Sequence, residues 1–200
     1  MTQTNQNLKT ELFRQIEILG RERSLLPFSE ASIDETIRQL ENVNPILQPL
    51  LPDHFADLIG DWQLIYASNG TVITRPIAEF TNFLGSGIKV KKIWQSLFID
   101  DGKITADNQA AIELTLLGEY KLSAEGVWQP KPDKQTATVT FNAFSVQSTK
   151  FLGQPNWTLP ELKIPVLEFL RNEALWITSY LDNDTRIGRG ATGNLFVFRR

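Results

Sequence analysis

The alternation of apolar and polar residues beyond position 57 predicts a mainly β chain. In the stretch 58–68, Trp62, Leu64 and Tyr66 share one face at the two-residue period of a strand. Further strand patterns lie at 88–99, around 104, and at 109–117, 119–129, 135–147, 173–181 and 194–199. About eight strands joined by short turns predict an antiparallel sheet closed into a barrel, because closure removes exposed edges.

Two stripes of apolar residues at helical spacing precede the strands. Leu8, Leu12 and Ile16 predict a helix over 6–19, and a second stripe predicts one over 32–43. Prolines at 45, 49 and 52 then interrupt regular structure. We expect this helical leader, residues 1–50, to pack on the barrel of residues 58–200 and to close one of its ends. Residues 1–200 are therefore predicted to form a single domain.

Large side chains that share a face of their strand are predicted to line the barrel. An eight-stranded barrel leaves an interior just wide enough for side chains or for one small ligand. Periodicity does not distinguish a filled interior from one that holds a ligand. The candidate ligand-binding residues are Trp62, Tyr66, Trp94, Phe98, Phe144, Trp176 and Tyr180.

Composition and charge exclude several classes of protein. At 42% hydrophobic residues the chain can bury a core, and a net charge of −3 argues against a nucleic-acid partner. The lack of cysteine removes disulfides and thiolate metal sites. No apolar run reaches the ~20 residues that span a bilayer, so membrane contact is expected to be peripheral. The N-terminus resembles neither a secretory signal nor a transit peptide.

Candidate catalytic groups are few and lie in turn contexts. His54 is the only histidine, and Asp182 and Asp184 flank an asparagine in a segment typical of a turn, where aspartate is favoured for backbone geometry. We therefore predict no catalytic residues, no metal site and no enzymatic activity. A basic cluster, Lys89 with Lys91 and Lys92, is read as a solvated strand face or as a contact for an anionic headgroup or a protein.

Three patches resemble the PAP/fibrillin family, the plastid lipid-associated proteins of chloroplasts and cyanobacteria. Residues 40–45, L-E-N-V-N-P, resemble the family pattern L-E-x-x-N-P. Residues 58–68, L-I-G-D-W-Q-L-I-Y-A-S, resemble L-x-G-x-W-x-L-x-Y-T-S. Residues 180–197 resemble Y-L-D-x-D-x-R-I-x-R-G-x-x-G-x-x-F-V, the longest and most specific of the three.

This resemblance implies a lipocalin-like barrel that binds a hydrophobic small molecule such as a lipid, a carotenoid or a prenylquinone. It also implies a structural or photoprotective role at thylakoid membranes, plastoglobules or lipid bodies. The expected location is the cytoplasm and thylakoid surface of a cyanobacterium, or the stroma and plastoglobules of a plastid. Two alternatives stay open. One is a scaffolding protein with a filled barrel that supports a membrane-associated or prenylquinone-synthesis partner, and the other is chromophore handling of the bilin-lyase kind.

Gly60 and Trp62 also resemble the first strand of lipocalins, in which a late arginine lies across the tryptophan face. Arg186, Arg189 and Arg199 are the candidates for that arginine. In the competing interpretation, Arg186 and Arg189 pair with Asp182 and Asp184. These ion pairs would hold the last hairpin against the first strand. Gly60, Asp182, Arg186 and Arg189 are therefore predicted to be structural residues.

Overall fold

Nine strands make up most of the structure, a computed structural model that describes residues 3–25, 30–69, 88–115, 118–151, 162–164, 174–191 and 193–200. They are β1 (Gly60–Ala67), β2 (Ile88–Asp100), β3 (Lys103–Leu114), β4 (Gly118–Pro130), β5 (Thr136–Phe151), β6 (Leu162–Ile164), β7 (Ala174–Leu181), β8 (Thr185–Gly190) and β9 (Leu195–Arg199).

Eight of the strands close into a ring. Neighbouring strands follow the order β4-β3-β2-β1-β9-β8-β7-β5, and β4 also pairs with β5, which completes the circle. The short strand β6 adds only to the edge of β5. Every described pairing is antiparallel. The predicted mainly β, antiparallel architecture is confirmed.

Helices precede the sheet in the order α1 (Gln3–Leu19), α2 (Arg21–Leu25), α3 (Ala31–Asn42) and α4 (Phe55–Leu58), with a 3-10 turn at Pro52–His54. The two predicted leader helices are confirmed as α1 and α3. The short elements α2 and α4 were not predicted. Neither was β8, because the sequence around it reads as a turn.

Two apolar clusters divide the core. The inner cluster gathers residues from the ring interior, among them Trp62, Leu64, Ile93 and Trp128. The outer cluster joins the stripes of α1 and α3 to the outer face of β1, β7, β8 and β9, where Tyr66, Tyr180, Ile187, Leu195 and Val197 lie. The leader stripes thus pack against the side of the sheet, and not across the end that they were expected to close.

The end of the ring at which β1 begins is covered by the segment 46–59 instead. Leu50 and Leu58 belong to the inner cluster. The Leu50 amide donates a hydrogen bond of 2.9 Å to the Lys134 carbonyl in the β4–β5 turn. The Trp62 indole donates one of 2.8 Å to the Leu58 carbonyl. That residues 1–200 form one domain stays a prediction.

Irregularities in two strands change which face their tyrosines occupy. The register of β1 shifts between Leu64 and Tyr66, and that of β7 shifts between Thr178 and Tyr180. An extra residue in a strand reverses the facing of all residues beyond it. Trp62 and Leu64 consequently face the interior, whereas Tyr66 and Tyr180 face the helices. The shared face predicted for Trp62, Leu64 and Tyr66 was wrong for this reason.

Candidate functional site

An arginine lies in the middle of the ring, surrounded by aromatic side chains from four strands. The guanidinium carbon of Arg186 is 5.1 Å from the ring centroid of Trp62, 4.3 Å from Phe198, 5.9 Å from Trp128 and 6.0 Å from Trp176. Arg186 is 0% exposed. Contacts of this kind between a cation and aromatic faces are favourable, more so away from water.

The hydrogen bonds of this arginine are incomplete. Nη2 donates to Oε1 of Gln95, whereas Nε and Nη1 are buried and have no acceptor among the described residues. None of the ion pairs in the described ranges involves Arg186. Burial, with a smaller contribution from the charge of Arg200, holds the pKa of Arg186 well below its ordinary value. The ring interior therefore contains a desolvated cation that lacks a described counter-charge.

A line of polar side chains continues from Arg186 across the interior. Gln95 on β2 accepts from the arginine and donates through Nε2 to Oδ1 of Asn108 at 2.6 Å. Asn108 on β3 donates in turn to the Ala124 carbonyl on β4 at 3.0 Å. Each amide is thus oriented by its neighbour. Three side chains from β8, β2 and β3 form a continuous polar row inside a mostly apolar ring.

The apolar inner wall is packed differently on the two sides of this row. Towards the start of β1, Trp62, Leu97, Ile104 and Trp128 are at most 2% exposed. Beyond Gln95 and Asn108, towards the other ends of β2, β3 and β4, Ile93, Ala110 and Ile112 stay buried, at most 6% exposed. Four further wall residues that pack against the inner cluster there are half-buried: Val90, Leu114, Tyr120 and Leu122. Trp176 and Phe196, with ring centroids 5.2 Å apart, are half-buried too. Accessible apolar surface therefore extends to the indole of Trp176, which also contacts Arg186.

The seven predicted ligand-binding residues separate into three groups. Trp62 and Trp176 belong to the inner cluster or pack against it, and Phe144 pairs with the buried Ala124 and contacts the inner-cluster residue Phe141 at 5.9 Å. Trp94 and Phe98 lie on the outer face, and Tyr66 and Tyr180 lie under the helices.

The interior placement of Trp94 and Phe98 was wrong because the alternation of β2 was assigned to the opposite face. Ile93, Gln95 and Leu97 are buried, whereas Phe98 is 39% exposed. The Trp94 ring is covered from outside by the ammonium groups of Lys92, at 5.3 Å, and Lys121, at 5.8 Å. An aromatic residue can thus be accommodated on a solvated face by neighbouring lysine side chains.

Trp62 is held between two arginines. Arg186 lies on its interior side, and the guanidinium of Arg200 lies 4.2 Å from the same ring centroid. Arg200 also donates to the Asp57 carbonyl at 2.8 Å, next to Gly60, whose φ of +126° is strained for any other residue. Of the three predicted candidates, only Arg186 lies near the tryptophan ring, and the arginine closest to that ring is Arg200, which was not a candidate. Arg199 lies instead over the Phe13 ring, at 4.8 Å.

Asp182 and Asp184 pair with a lysine, not with the arginines that were expected. Lys9 on α1 is 2% exposed, and its Nζ lies 3.0 Å from Asp182 Oδ2 and also binds Asp184 Oδ1. Asp182 accepts from the amides of Asp184 and Thr185 as well, at 3.1 and 2.9 Å, which confirms its role in a turn. The pairing of Arg186 and Arg189 with these carboxylates was wrong.

Arg189 instead clamps α3 to the sheet. Its Nε and Nη2 donate to the two oxygens of Glu41 at 2.6 and 2.7 Å. Nearby, Asn44 accepts from the Leu181 amide at 3.1 Å and donates to the Ser179 carbonyl at 3.1 Å, beside the irregularity of β7. The three patches picked out in the sequence therefore meet in space, since 40–45 contacts β7 and β8 while β8 contacts Trp62.

Three of these functional or structural residues were missed by sequence reasoning: Lys9, Gln95 and Arg200. Asn44 belongs to the first patch, 40–45, but its contacts with β7 were not predicted. Lys9 carried a usable signal, because it falls on the buried helical stripe with Asn5, Leu12 and Ile16. A buried lysine is costly unless a carboxylate pairs with it, so this position predicts an acidic partner. Gln95 carried none, since its alternation with Trp94 was compatible with either face.

A second feature is a cleft of about 270 Å³ between the helices α1 and α2 and the place where β1 and β2 separate. Pairing of β1 with β2 extends only to Gln63 and Trp94, and α2 covers the β1 residues beyond. The cleft is lined by apolar Leu25, Leu64 and Ile93 and by the basic Arg21 and Lys92. The predicted basic cluster is partly neutralised, since Lys91 pairs with Glu113 and Glu119 at 3.2 and 2.8 Å.

Within the described ranges, no group of three or more histidine, cysteine, aspartate or glutamate side chains could hold a metal ion. Among the described helices, none combines the length and apolar character needed to cross a bilayer. The fold and site define an antiparallel ring of eight strands with helices on one side and an arginine within an aromatic, apolar interior.

The chain belongs to the PAP_fibrillin family, whose model matches residues 6–199. This confirms the family that the three patches predicted. The chain is 36% identical over 194 residues to the probable plastid-lipid-associated protein 5, chloroplastic, of Arabidopsis thaliana, covering 96% of this chain and 68% of that protein. It is 29% identical to the probable plastid-lipid-associated protein 3, chloroplastic, of Arabidopsis thaliana and 28% identical to the plastid lipid-associated protein 3, chloroplastic, of Brassica campestris.

Each of the two latter alignments covers 85% of this chain. The chain spans about half the length of those relatives, 51% and 54% respectively. No solved structure matches the chain closely enough to count as a relative.

Proposed function

We propose that this chain is a lipid-associated protein that holds one hydrophobic small molecule in a lipocalin-like barrel and does not convert it. The ligand would be a lipid, a carotenoid or a prenylquinone. The observation that carries the proposal is the half-buried apolar wall inside the ring, formed by residues such as Tyr120, Leu122 and Trp176. Accessible apolar surface that faces inward is typical of a pocket for an apolar guest.

The proposed setting is the surface of thylakoid membranes or lipid bodies, with a structural or photoprotective role. Support comes from the relatives, whose names describe them as plastid-lipid-associated and chloroplastic. A cyanobacterial cytoplasm or a plastid stroma would both provide such surfaces. The basic residues at the cleft under α2, Arg21 and Lys92, are suited to anionic headgroups at such a surface.

Tryptophan fluorescence tests whether a ligand enters the ring. Titration of the full chain with a carotenoid or a prenylquinone should quench the emission saturably. Trp176→Phe should lose a large part of that quenching, because Trp176 lies on the accessible inner wall. Trp94→Phe is the matched control, since Trp94 lies on the outer face and its loss should leave the ligand-dependent signal intact. Equal effects of the two variants would refute an interior site.

The identity of the ligand and the lack of turnover are tested together. The protein is purified from its natural host, extracted with organic solvent and examined by mass spectrometry. One apolar compound in a stoichiometric amount is expected. A ligand added to the purified protein should be recovered with unchanged mass, whereas a product of altered mass would identify an enzyme.

The scaffolding alternative draws on the dense packing near the start of β1, where Trp62 and Trp128 are almost fully buried. If such packing extended through the whole interior, the ring would hold no exchangeable molecule. Saturable quenching in neither the wild type nor any variant, with several lipids, would favour that alternative. A pull-down of a prenylquinone-synthesis enzyme from the host would then be the positive result.

A further inference from the structure

The buried guanidinium of Arg186 is not explained by the packing of the ring. Transfer of a cation from water to an apolar interior is costly unless an anion accompanies it. The arginine has one amide acceptor, Gln95, and two nitrogens without a partner among the described residues. Aromatic contacts to Trp62 and Phe198 offset part of this cost, because a cation is attracted to an aromatic face. None of them supplies the hydrogen-bond acceptor that Nε and Nη1 lack.

The inner wall next to the arginine combines small residues with accessible apolar ones. Small residues face the interior next to the polar row, with Ala106 and Ala110 on β3 and Ala124 on β4, all 0% exposed. Beyond them the wall is apolar and accessible, as at Leu122. A ligand seated on this wall would present an apolar body to the strands and its innermost end to Arg186.

From this arrangement we infer that the ligand is an anionic amphiphile, whose carboxylate or equivalent anionic oxygen binds Nε or Nη1 of Arg186 while its hydrocarbon chain lies along the inner wall. The inference rests on the proposed function and narrows it to one chemical class. Guanidinium groups bind carboxylates through strong, charge-assisted hydrogen bonds. Gln95 holds the arginine in place, because Asn108 fixes its amide in turn.

The charge requirement favours a carboxylate over a neutral head. A neutral carbonyl would accept hydrogen bonds but would leave the guanidinium charge uncompensated. A carboxylate does both, and it enters a site whose cation is already desolvated and oriented, so less ordering is needed on binding. Ligands of equal chain length that differ only in this group should therefore be separated by the protein.

The test compares two probes with the same chain, palmitate and 1-hexadecanol, at pH 8 and below their aggregation limits. Binding to the full chain is measured by tryptophan quenching and by calorimetry. The wild type should bind palmitate more tightly than the alcohol by about tenfold or more. Arg186→Met should lose this preference and keep its affinity for the alcohol. Arg189→Gln is the control, since Arg189 is paired with Glu41 outside the ring and its loss should leave the preference unchanged.

A measurement on the wild type covers the case in which Arg186→Met does not fold. The Nε–H resonance of Arg186, followed by NMR in nitrogen-labelled protein, should shift on addition of palmitate and not on addition of hexadecanol. Absence of that shift while palmitate binds would overturn the inference.

The outcomes separate this inference from the proposed function. Equal binding of acid and alcohol by the wild type, or a preference that survives in Arg186→Met, would overturn the anionic head and leave the apolar site standing. Binding of neither probe, together with no binding of carotenoid or prenylquinone, would overturn both.

Discussion

Replacement of Lys9 by methionine tests how the helical leader is held to the sheet. Lys9 on α1 lies 3.0 Å from the carboxylate of Asp182, which is 3% exposed, and also binds Asp184. Asp182 accepts a further hydrogen bond of 2.6 Å from the Tyr180 hydroxyl. Methionine keeps most of the apolar stem of lysine, so the substitution removes mainly the charge and its hydrogen bonds.

The expected loss in the free energy of unfolding depends on the hydrogen-bond donors that Asp182 and Asp184 keep in Lys9→Met. Removal of one member of a buried ion pair costs about 3–5 kcal/mol because the other charge is left unpaired. Asp184 is 42% exposed, so water can replace the lysine there. Asp182 keeps the Tyr180 hydroxyl and two backbone amides as donors. We therefore expect a loss of about 3 kcal/mol in the free energy of unfolding. For a chain of this size that corresponds to a fall in Tm of about 6–12 °C.

Equilibrium unfolding in guanidinium chloride at pH 7, followed by tryptophan fluorescence and far-UV circular dichroism, measures the loss. Arg14→Met is the matched control, because Arg14 is on the same helix and its only described ion pair is an exposed one with Glu11. Its midpoint should equal that of the wild type. If Lys9→Met unfolds at the same midpoint as Arg14→Met, the buried pair makes no net contribution and the leader is held by its apolar stripes alone.

The ion pair of Lys9 with Asp184 also predicts how the stability of the protein changes at low pH. Burial alone would raise the pKa of Asp184, but hydrogen bonds from Lys9 and Thr185 outweigh burial and hold the pKa below its ordinary value. Because this folded-state pKa is lower than the unfolded value of about 3.9, the associated stability is complete above that value. It is lost as pH falls through the folded pKa. The wild type should therefore lose more stability than Lys9→Met from about pH 4 downward, and equal losses would contradict this account.

Two further substitutions test close packing and the β7 irregularity, each by the same unfolding experiment. Gly188→Ala should destabilise by about 3 kcal/mol or prevent folding, because a methyl group there would overlap the indole of Trp176. Gly190→Ala, where space remains, is the control, and equal effects of the two variants would refute the close packing at Gly188. Asn44→Ala should cost about 2–3 kcal/mol by leaving the Leu181 amide and the Ser179 carbonyl without the partners they have now. Unchanged stability of Asn44→Ala would mean that water satisfies both groups.

The strand periods in the sequence predicted that β2 alternates, but not which of its faces is buried. Both faces of β2 carry large residues, Ile93 and Leu97 on one and Trp94 and Phe98 on the other. Size favoured the aromatic face, whereas the structure buries the aliphatic one. The deciding facts are non-local: Trp94 gains cover from Lys121 on β4, a neighbour that only strand pairing brings close.

The strand β8 and the two strand irregularities were missed for related reasons. Gly188 and Gly190 are turn-forming residues by local preference, yet Gly188 lies within a strand because Trp176 occupies the space where a side chain would be. The shift in β7 is stabilised by Asn44, which is more than a hundred positions away in the chain. Such long-range partners leave no trace in a local period. The family patterns nevertheless included both segments, 40–45 and 180–197, whose residues contact one another in the structure.

The charged side chains of the third patch, 180–197, differ in whether they have a partner of opposite charge. Asp182 and Asp184 share Lys9, and Arg189 has Glu41, so each of these charges has an opposite partner. Arg186 is the most buried of the cations and has none among the described residues. If this position served only to close the ring, an apolar side chain of similar volume would do so without the cost of desolvation. The cation is therefore better explained by the anionic ligand that we propose than by packing alone, and Nε and Nη1 of Arg186 are the donors that this ligand would engage.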